Sequence, residues 1–395
     1  MGWRGVSLVS GWQFTASLCF YTVFAATAFV REGFGVSLGV TGLTVTAVML
    51  GYTALLFGTG AATDAFGERP LLVYGLLALA AGMAFVAVAP TFPILLVALL
   101  FVGFAYATAM PATNRAAVNV APPGREALAM NVKQVGVTAG SAAAALLVTW
   151  MATTDAATVL GPVRFDWQAA FLAGAGLAVV VAVVTALRYE GMPASGSLSV
   201  PDVRSLLDDR AYRGLLVSGF FLGAAVFTTT SYAVPHVTDT VAATAGVGGA
   251  VLATVQVTGS LGRLAGGELA DRIPGRPTRG PALVLAAQAA VAGAGFLAVV
   301  VADGQTATWL AFGFLGVSML GFPGVYYATM TALVDDDEVG AATAGGQSAL
   351  NAGGLVAPPL FGTVAETVGY DAGWTGLAVL TTAAAAAVWV AIART

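Results

Sequence analysis

The chain has 395 residues, of which 58% are hydrophobic and only 9% charged, with a formal net charge of −4. A soluble domain carries about 25% charged residues. Together with a mean hydropathy of +0.86, this excludes a water-soluble protein, and the charge is too small to imply a charged partner such as nucleic acid. The long runs of Ala, Gly, Val, Leu and Thr predict spanning helices, because a membrane barrel shows short alternating strands instead.

Apolar runs of about 20 residues mark spans. Twelve occur, at 7–30, 43–63, 70–90, 92–115, 127–151, 167–188, 213–235, 245–270, 280–302, 308–332, 341–365 and 373–393. The first run is too long for the apolar core of a removable signal peptide and lacks a clear small-residue cleavage site. It holds Cys19, the one cysteine, and no acidic residue. A single cysteine rules out an intrachain disulfide and a cysteine metal cage. The charged stretch Gly60–Pro70 follows span 2, and span 4 carries Tyr106 in its middle turns. Span 5 holds Lys133, the only lysine, within a polar set of Asn131, Gln134, Thr138 and Ser141. Lys133 shares its side of that helix with Gly136 and Gly140, a small-residue pair that allows close helix approach.

The longest polar connection runs from Tyr189 to Tyr212 and divides the spans into six and six. In the second half, span 7 carries Phe227 and, near its outer end, His236, the one histidine. His236 could titrate near neutral pH as a proton carrier, although a lone histidine at a helix end is more often structural; no clustered ligands point to a metal, so neither metal nor cofactor is expected. Gln256, Ser260 and Arg263 fall at i, i+4 and i+7 of span 8, a single polar stripe. Span 10 carries Met319, Phe322 and Tyr326, and the acidic run Asp335–Glu338 between spans 10 and 11 reads as solvated charge.

Arginine placement sets the orientation. With both termini cytoplasmic, eleven arginines lie inside (Arg4, Arg69, Arg125, Arg188, Arg204, Arg210, Arg213, Arg272, Arg276, Arg279 and Arg394) and two outside, Arg31 and Arg164. A multi-pass plasma-membrane protein with both termini in the cytoplasm is therefore expected.

Several segments recur at offsets of 207 to 213. Val9–Gly11 matches Val217–Gly219. Gly60–Pro70 matches Gly267–Pro277, Pro111 matches Pro323, and Trp167 matches Trp374. "KQVGVTAG" from Lys133 matches "GQSALNAG" from Gly346. Such duplication is a common plan of secondary transporters, with substrate bound near the midplane between the repeats. The expected architecture is all-α, with twelve transmembrane helices in two pseudo-symmetric six-helix bundles, residues 1–188 and 213–395, joined by a cytoplasmic linker at 189–212.

At these motifs the chain resembles the major facilitator superfamily over its whole length. The family's G-x-x-x-D-R-x-G-R loop is met by Gly60, Asp64, Gly67 and Arg69, with Ala65 in place of the first arginine and Glu68 where the family tends to be basic. The second copy offers Gly267, Asp271, Arg272, Gly275 and Arg276, with one residue inserted. The resemblance implies that these loops form a cytoplasmic latch, in which an aspartate meets an arginine or the positive end of a helix. It also implies that spans 1, 4, 7 and 10 line the cavity, which makes Tyr21, Tyr106, Phe227, Phe322 and Tyr326 candidate substrate contacts. The span 4 drug-export motif is poor, with Leu99 and Val102 before Gly103, and the span 5 antiporter motif survives only as Gly136 and Gly140, with Ser141 for proline.

An ionisable residue inside a membrane costs about 2.5–3.5 kcal/mol on insertion scales and marks a functional site by default. Lys133 and Arg263 each lie eight residues from the charged end of their span, at Arg125 and Asp271. Both would sit roughly 12 Å deep. Two readings stand. In one, Lys133, Arg263, Asn131, Gln134 and Gln256 bind a small anion, a monocarboxylate or similar. In the other, Lys133 snorkels to the surface and Arg263 pairs with Glu268 or Asp271. The expected function is alternating-access transport of a small solute, an anion on the first reading. The alternative is a proton-coupled exporter of amphipathic drugs or metabolites. The chain has no nucleophile constellation and no G-x-x-x-x-G-K-[ST] phosphate loop, so neither an enzyme nor an ATP-driven pump is expected. The expected partners are a small-molecule substrate, the bilayer and a coupling proton or ion, with no nucleic acid and a monomeric state.

Overall fold

The computed structural model describes residues 2–123, 125–153, 158–160, 163–192, 205–335 and 338–392. Arg204, Asp336, Asp337 and Arg394 lie outside them, as do the side chains of Asn131 and Arg164. In chain order the helices are α1 (Trp3–Ala25), α2 (Thr27–Phe34), α3 (Leu38–Thr41), α4 (Leu43–Phe66), α5 (Glu68–Ala87), α6 (Phe92–Tyr106), α7 (Ala109–Val120) and α8 (Glu126–Thr153). A short antiparallel hairpin, β1 (Thr158–Leu160) and β2 (Val163–Phe165), precedes α9 (Gln168–Arg188). After a 3-10 turn at Ser205–Asp208 come α10 (Arg210–Thr240), α11 (Ala245–Arg272), α12 (Arg279–Val301), α13 (Gly304–Met319), α14 (Pro323–Thr331), α15 (Val339–Thr367) and α16 (Tyr370–Ile392).

Among the described residues, ten helical segments are long and apolar enough to cross a membrane, and α1 with α2, bent by 49°, makes an eleventh if taken as one span. The remaining long helix is α15, of 29 residues, whose glycines, Gln347, Asn351 and the Pro358–Pro359 pair dilute its hydropathy. The architecture is all-α apart from the hairpin, and its helices follow the expected spans to within a few residues.

Spans 4 and 10, expected as single helices, are each broken beside a proline. Proline has no N–H and its ring clashes with the carbonyl four residues back. The chain ends α6 at Tyr106 and restarts as α7 two residues before Pro111; it ends α13 at Met319 and restarts as α14 at Pro323. The carbonyls freed at the breaks find new donors. Thr59 Oγ1 donates to Ala107 O at 2.8 Å, and Arg263 Nη2 donates to Leu320 O at 3.1 Å.

The helices gather into two compact units, Met1–Phe34 with Ala47–Val200, and Gly35–Thr46 with Pro201–Thr395. In unit 1, α1 runs along α8, and the repeated glycines make the crossing. A Cβ at Gly136 would stand 2.7 Å from Ser10 O, and one at Gly140 would overlap Phe14 O. In unit 2, α10 runs along α15 in the same way, and a Cβ at Gly353, the repeat partner of Gly140, would overlap Phe220 O. The segment Gly35–Thr46 lies on α15 and its neighbour α10: Tyr232 Oη donates to Leu38 O at 2.9 Å and Thr46 Oγ1 to Leu355 O at 2.6 Å. Ser37 caps α3 by accepting from Val40 N at 3.2 Å.

Candidate substrate site

The polar groups of unit 1 form two clusters. The deeper one joins α1, α7 and α8. Lys133 is completely buried, and its ammonium donates to Asn114 Oδ1 at 2.7 Å and lies 4.0 Å from Met110 Sδ. An ammonium has three donors, and both groups that meet this one are neutral. It has no carboxylate partner among the described residues. Beside Asn114, Thr113 Oγ1 donates to Gln13 Oε1 at 2.8 Å, and Gln13 Nε2 donates to Ser17 Oγ at 3.1 Å. Further along α1 from this polar thread, the ring of Tyr106 stacks on Phe20 at 3.9 Å, with Tyr21 and Tyr52 edge-on to Phe20.

The second cluster is built on Glu68. Gly67, at φ 80, takes the left-handed backbone that turns the chain from α4 into α5. Glu68, the next residue, is fully buried. Arg115 Nε stands 3.0 Å from Glu68 Oε2. Oε1 accepts from Tyr189 Oη at 2.8 Å, the Met192 backbone N–H at 2.9 Å and Asn119 Nδ2 at 3.2 Å. Burial pushes the Tyr189 phenol up, so it stays a donor to the carboxylate. The acidic residue that breaks the family pattern is thus the hub joining α5, α7 and the segment after α9. Asp64, expected to be the strong partner in this loop, is largely exposed and lies 3.5 Å from Arg115 Nη1. Arg69 Nη2 donates to Ala186 O at 2.8 Å, while Gly60 has open space around it.

In unit 2, Arg263 is half-buried and caps the Leu320 carbonyl. Arg272 forms an exposed pair with Glu268, with Nη2 at 2.8 Å from Oε1; Asp271 and Arg276 are exposed. Gly267 has open space around it, and Gly275 turns the chain at φ 135. Gln256 is buried, and among the described residues its Nε2 has no partner, nor do the buried Asn351 Nδ2 and Thr228 hydroxyl. Tyr326 is fully buried and donates to Gly346 O at 3.2 Å, and its ring is edge-on to Phe322 at 6.1 Å. Phe227 packs against Gly354. His236 is buried in an aromatic box; Trp374 Nε1 donates to its Nδ1 at 3.1 Å, and the rings of Phe312 and Tyr370 flank it.

Of the residues named from the sequence, Lys133 and Gln134 lie on α8 in unit 1, as does Asn131, whose side chain is outside the described residues. Arg263 and Gln256 lie on α11 in unit 2. Lys133 does not snorkel, because its stem and ammonium are both enclosed. Sequence reasoning missed Asn114, Gln13 and Thr113, and it missed the Glu68–Arg115–Tyr189 hub. The available signal was a run of polar side chains at the end of an otherwise apolar span 4 and just beyond it, Thr113, Asn114, Arg115 and Asn119.

A bundle of apolar helices in which each half repeats the same crossing glycine and the same proline break is a polytopic membrane transporter by its plan. A profile of the Major Facilitator Superfamily matches residues 9–337, and the chain belongs to that family. No curated protein sequence matches it. Among solved structures, a bacterial homologue of the human lysosomal transporter Spinster, in an inward-facing and occupied conformation, is similar with a TM-score of 0.82 at 16% identity, covering 100% of this chain and 97% of that one. A mutant form of the nucleoside transporter NupG is similar with a TM-score of 0.78 at 14% identity, covering 98% of this chain and 99% of that one. At such identities the likeness is one of fold.

Proposed function

We propose that this transporter carries a small anionic solute, a monocarboxylate or a molecule of similar charge, by alternating access, with Lys133 as its principal charged contact. One observation carries the reading: a fully buried ammonium met, among the described residues, by the neutral Asn114 and Met110. A buried cation without a counter-charge costs several kcal/mol, roughly the effective penalty per ion. An arriving anion supplies the missing charge. Within unit 2, Arg263 offers a planar fork for a carboxylate, and the amide donors of Gln256 and Asn351, unpartnered among the described residues, suit an acceptor-bearing ligand.

In this reading residues 1–188 and 213–395 are the two moving bundles, both termini are cytoplasmic in the plasma membrane, and the loops at Gly60–Arg69 and Gly267–Arg276 latch the cytoplasmic side. The test is uptake of labelled pyruvate, lactate, nitrate, cyanate and uridine into proteoliposomes by wild type, Lys133→Ala and Arg263→Ala. Loss of one charge-assisted hydrogen bond predicts a fall in anion uptake of roughly ten- to a hundredfold in Lys133→Ala. Uptake of uridine alone, or normal anion uptake by both variants, sinks the reading.

A further inference from the structure

On unit 2, a cavity of about 470 Å³ opens between the start of α12 and the end of α16. Its walls are apolar: Leu283 and two alanines of α12 face Val388 and Trp389 of α16. Its mouth is cationic. Gly275, at φ 135, turns the chain so that Arg276 and Arg279 both stand at the rim, exposed, and no acidic side chain lines the cavity among the described residues. The rim is also the N-terminus of α12, a helix of 23 residues, whose dipole adds positive potential at the same place.

The surface around the cavity does not suit water. Trp389 is 57% exposed and Val390 52% exposed. An indole at the end of an apolar helix is the amphipathic anchor found at membrane interfaces. The other side of α16 also bears a groove. This second groove, of about 700 Å³, lies between α16 and α10, lined by alanines, but Asp209 stands beside Arg210 at its end, so it lacks the cationic mouth of the first. Alanines of α12 line the first groove and alanines of α16 the second, and small side chains cannot fill the space between neighbouring helices.

We infer that the α12–α16 groove binds an anionic phospholipid of the surrounding bilayer, its phosphate on Arg276 and Arg279 and an acyl chain along Leu283, Val388 and Trp389. Apolar walls select a tail, and two guanidiniums at the rim select a negative head. Neither Lys133 nor Arg263 lines this groove, and the inference does not depend on the substrate reading.

The experiment is native mass spectrometry of the full chain released from nanodiscs of equal phosphatidylglycerol and phosphatidylcholine. Wild type is expected to retain phosphatidylglycerol over phosphatidylcholine. Each basic group near an anionic lipid contributes about a fivefold factor, so Arg276→Ala with Arg279→Ala should lose roughly thirtyfold of that preference. Ala286→Leu narrows the groove while leaving both arginines, and should lower retention of both lipids. Inorganic phosphate at millimolar concentration should not displace the bound lipid. Equal retention of the two lipids by wild type overturns the inference. So does displacement by phosphate alone, or wild-type retention of phosphatidylglycerol by either variant; if the double alanine variant does not fold, the Ala286→Leu result decides.

Discussion

Lys133 Nζ donates to Asn114 Oδ1 at 2.7 Å, and the positions that match these two in the second half, Gly346 and Tyr326, are hydrogen-bonded to each other as well, at 3.2 Å. The repeat keeps the link and exchanges its chemistry. In unit 1 a long cation on α8 reaches an amide on α7. In unit 2 a phenol on α14 reaches the backbone of α15 at a glycine. A side chain at Gly346 would collide with Met330 and crowd the Tyr326 hydroxyl. The space a lysine fills on one side is filled by a tyrosine on the other.

This exchange makes Lys133 separable from the scaffold. Lys133→Met keeps the volume and removes a buried charge that costs several kcal/mol, against about 1–3 kcal/mol for stranding Asn114 Oδ1, so it should be neutral or stabilising. Asn114→Ala leaves the ammonium without its best acceptor and should destabilise by about 1–3 kcal/mol. Thermal unfolding in detergent checks both. A Lys133→Met protein less stable than Asn114→Ala makes the lysine a structural group.

Glu68 is the opposite case. Breaking a buried ion pair from one side costs about 3–5 kcal/mol. Glu68→Ala should therefore lower the melting temperature sharply, with Tyr189→Phe showing a smaller drop of about 1 kcal/mol for one lost hydrogen bond. Asp64→Ala, at an exposed pair, should change stability by at most about 1 kcal/mol. Equal effects for Glu68→Ala and Asp64→Ala would contradict the hub.

The spans were legible because hydropathy is a local property, and their ends are set by residues within a turn or two. The glycine crossings were legible for the same reason. Glu68 was visible only as a departure from a motif. Its partners Tyr189 and Arg115 lie 121 and 47 positions away, and nothing local to Glu68 names them. Asn114 was hidden because one amide in an apolar run looks like any other polar residue until a buried cation is seen to need it. The breaks at Pro111 and Pro323 were within reach, since a mid-span proline demands a new donor for the carbonyl it strands.

The α1–α8 crossing should be intolerant of bulk. Gly140→Leu places a side chain against Phe14 O and the Leu18 N–H. Overpacking of this kind costs about 1–3 kcal/mol. Gly176→Leu, at a position with open space around it, serves as the control. A melting temperature lowered only in Gly140→Leu is the expected result; no difference between the two would mean that α1 and α8 can separate freely.

His236 accepts from Trp374 inside an aromatic box. His236→Ala strands the indole N–H and should destabilise by about 1–3 kcal/mol. If this histidine serves packing alone, the pH profile of transport in His236→Gln should match wild type. A profile that moves with this substitution would make it a coupling group.

The two proline breaks differ in one further way. The stranded carbonyl in span 4 is held by the hydroxyl of Thr59, and the one in span 10 by the guanidinium of Arg263. A hydroxyl cap is indifferent to charge, whereas a guanidinium can be drawn away by any carboxylate or nitrate that reaches it. The twofold likeness of the halves therefore ends at these caps. On the anion reading proposed above, a carboxylate that reached Arg263 would loosen the elbow of span 10 and would find no such group at its twin, which would give a symmetric frame a single-sided trigger.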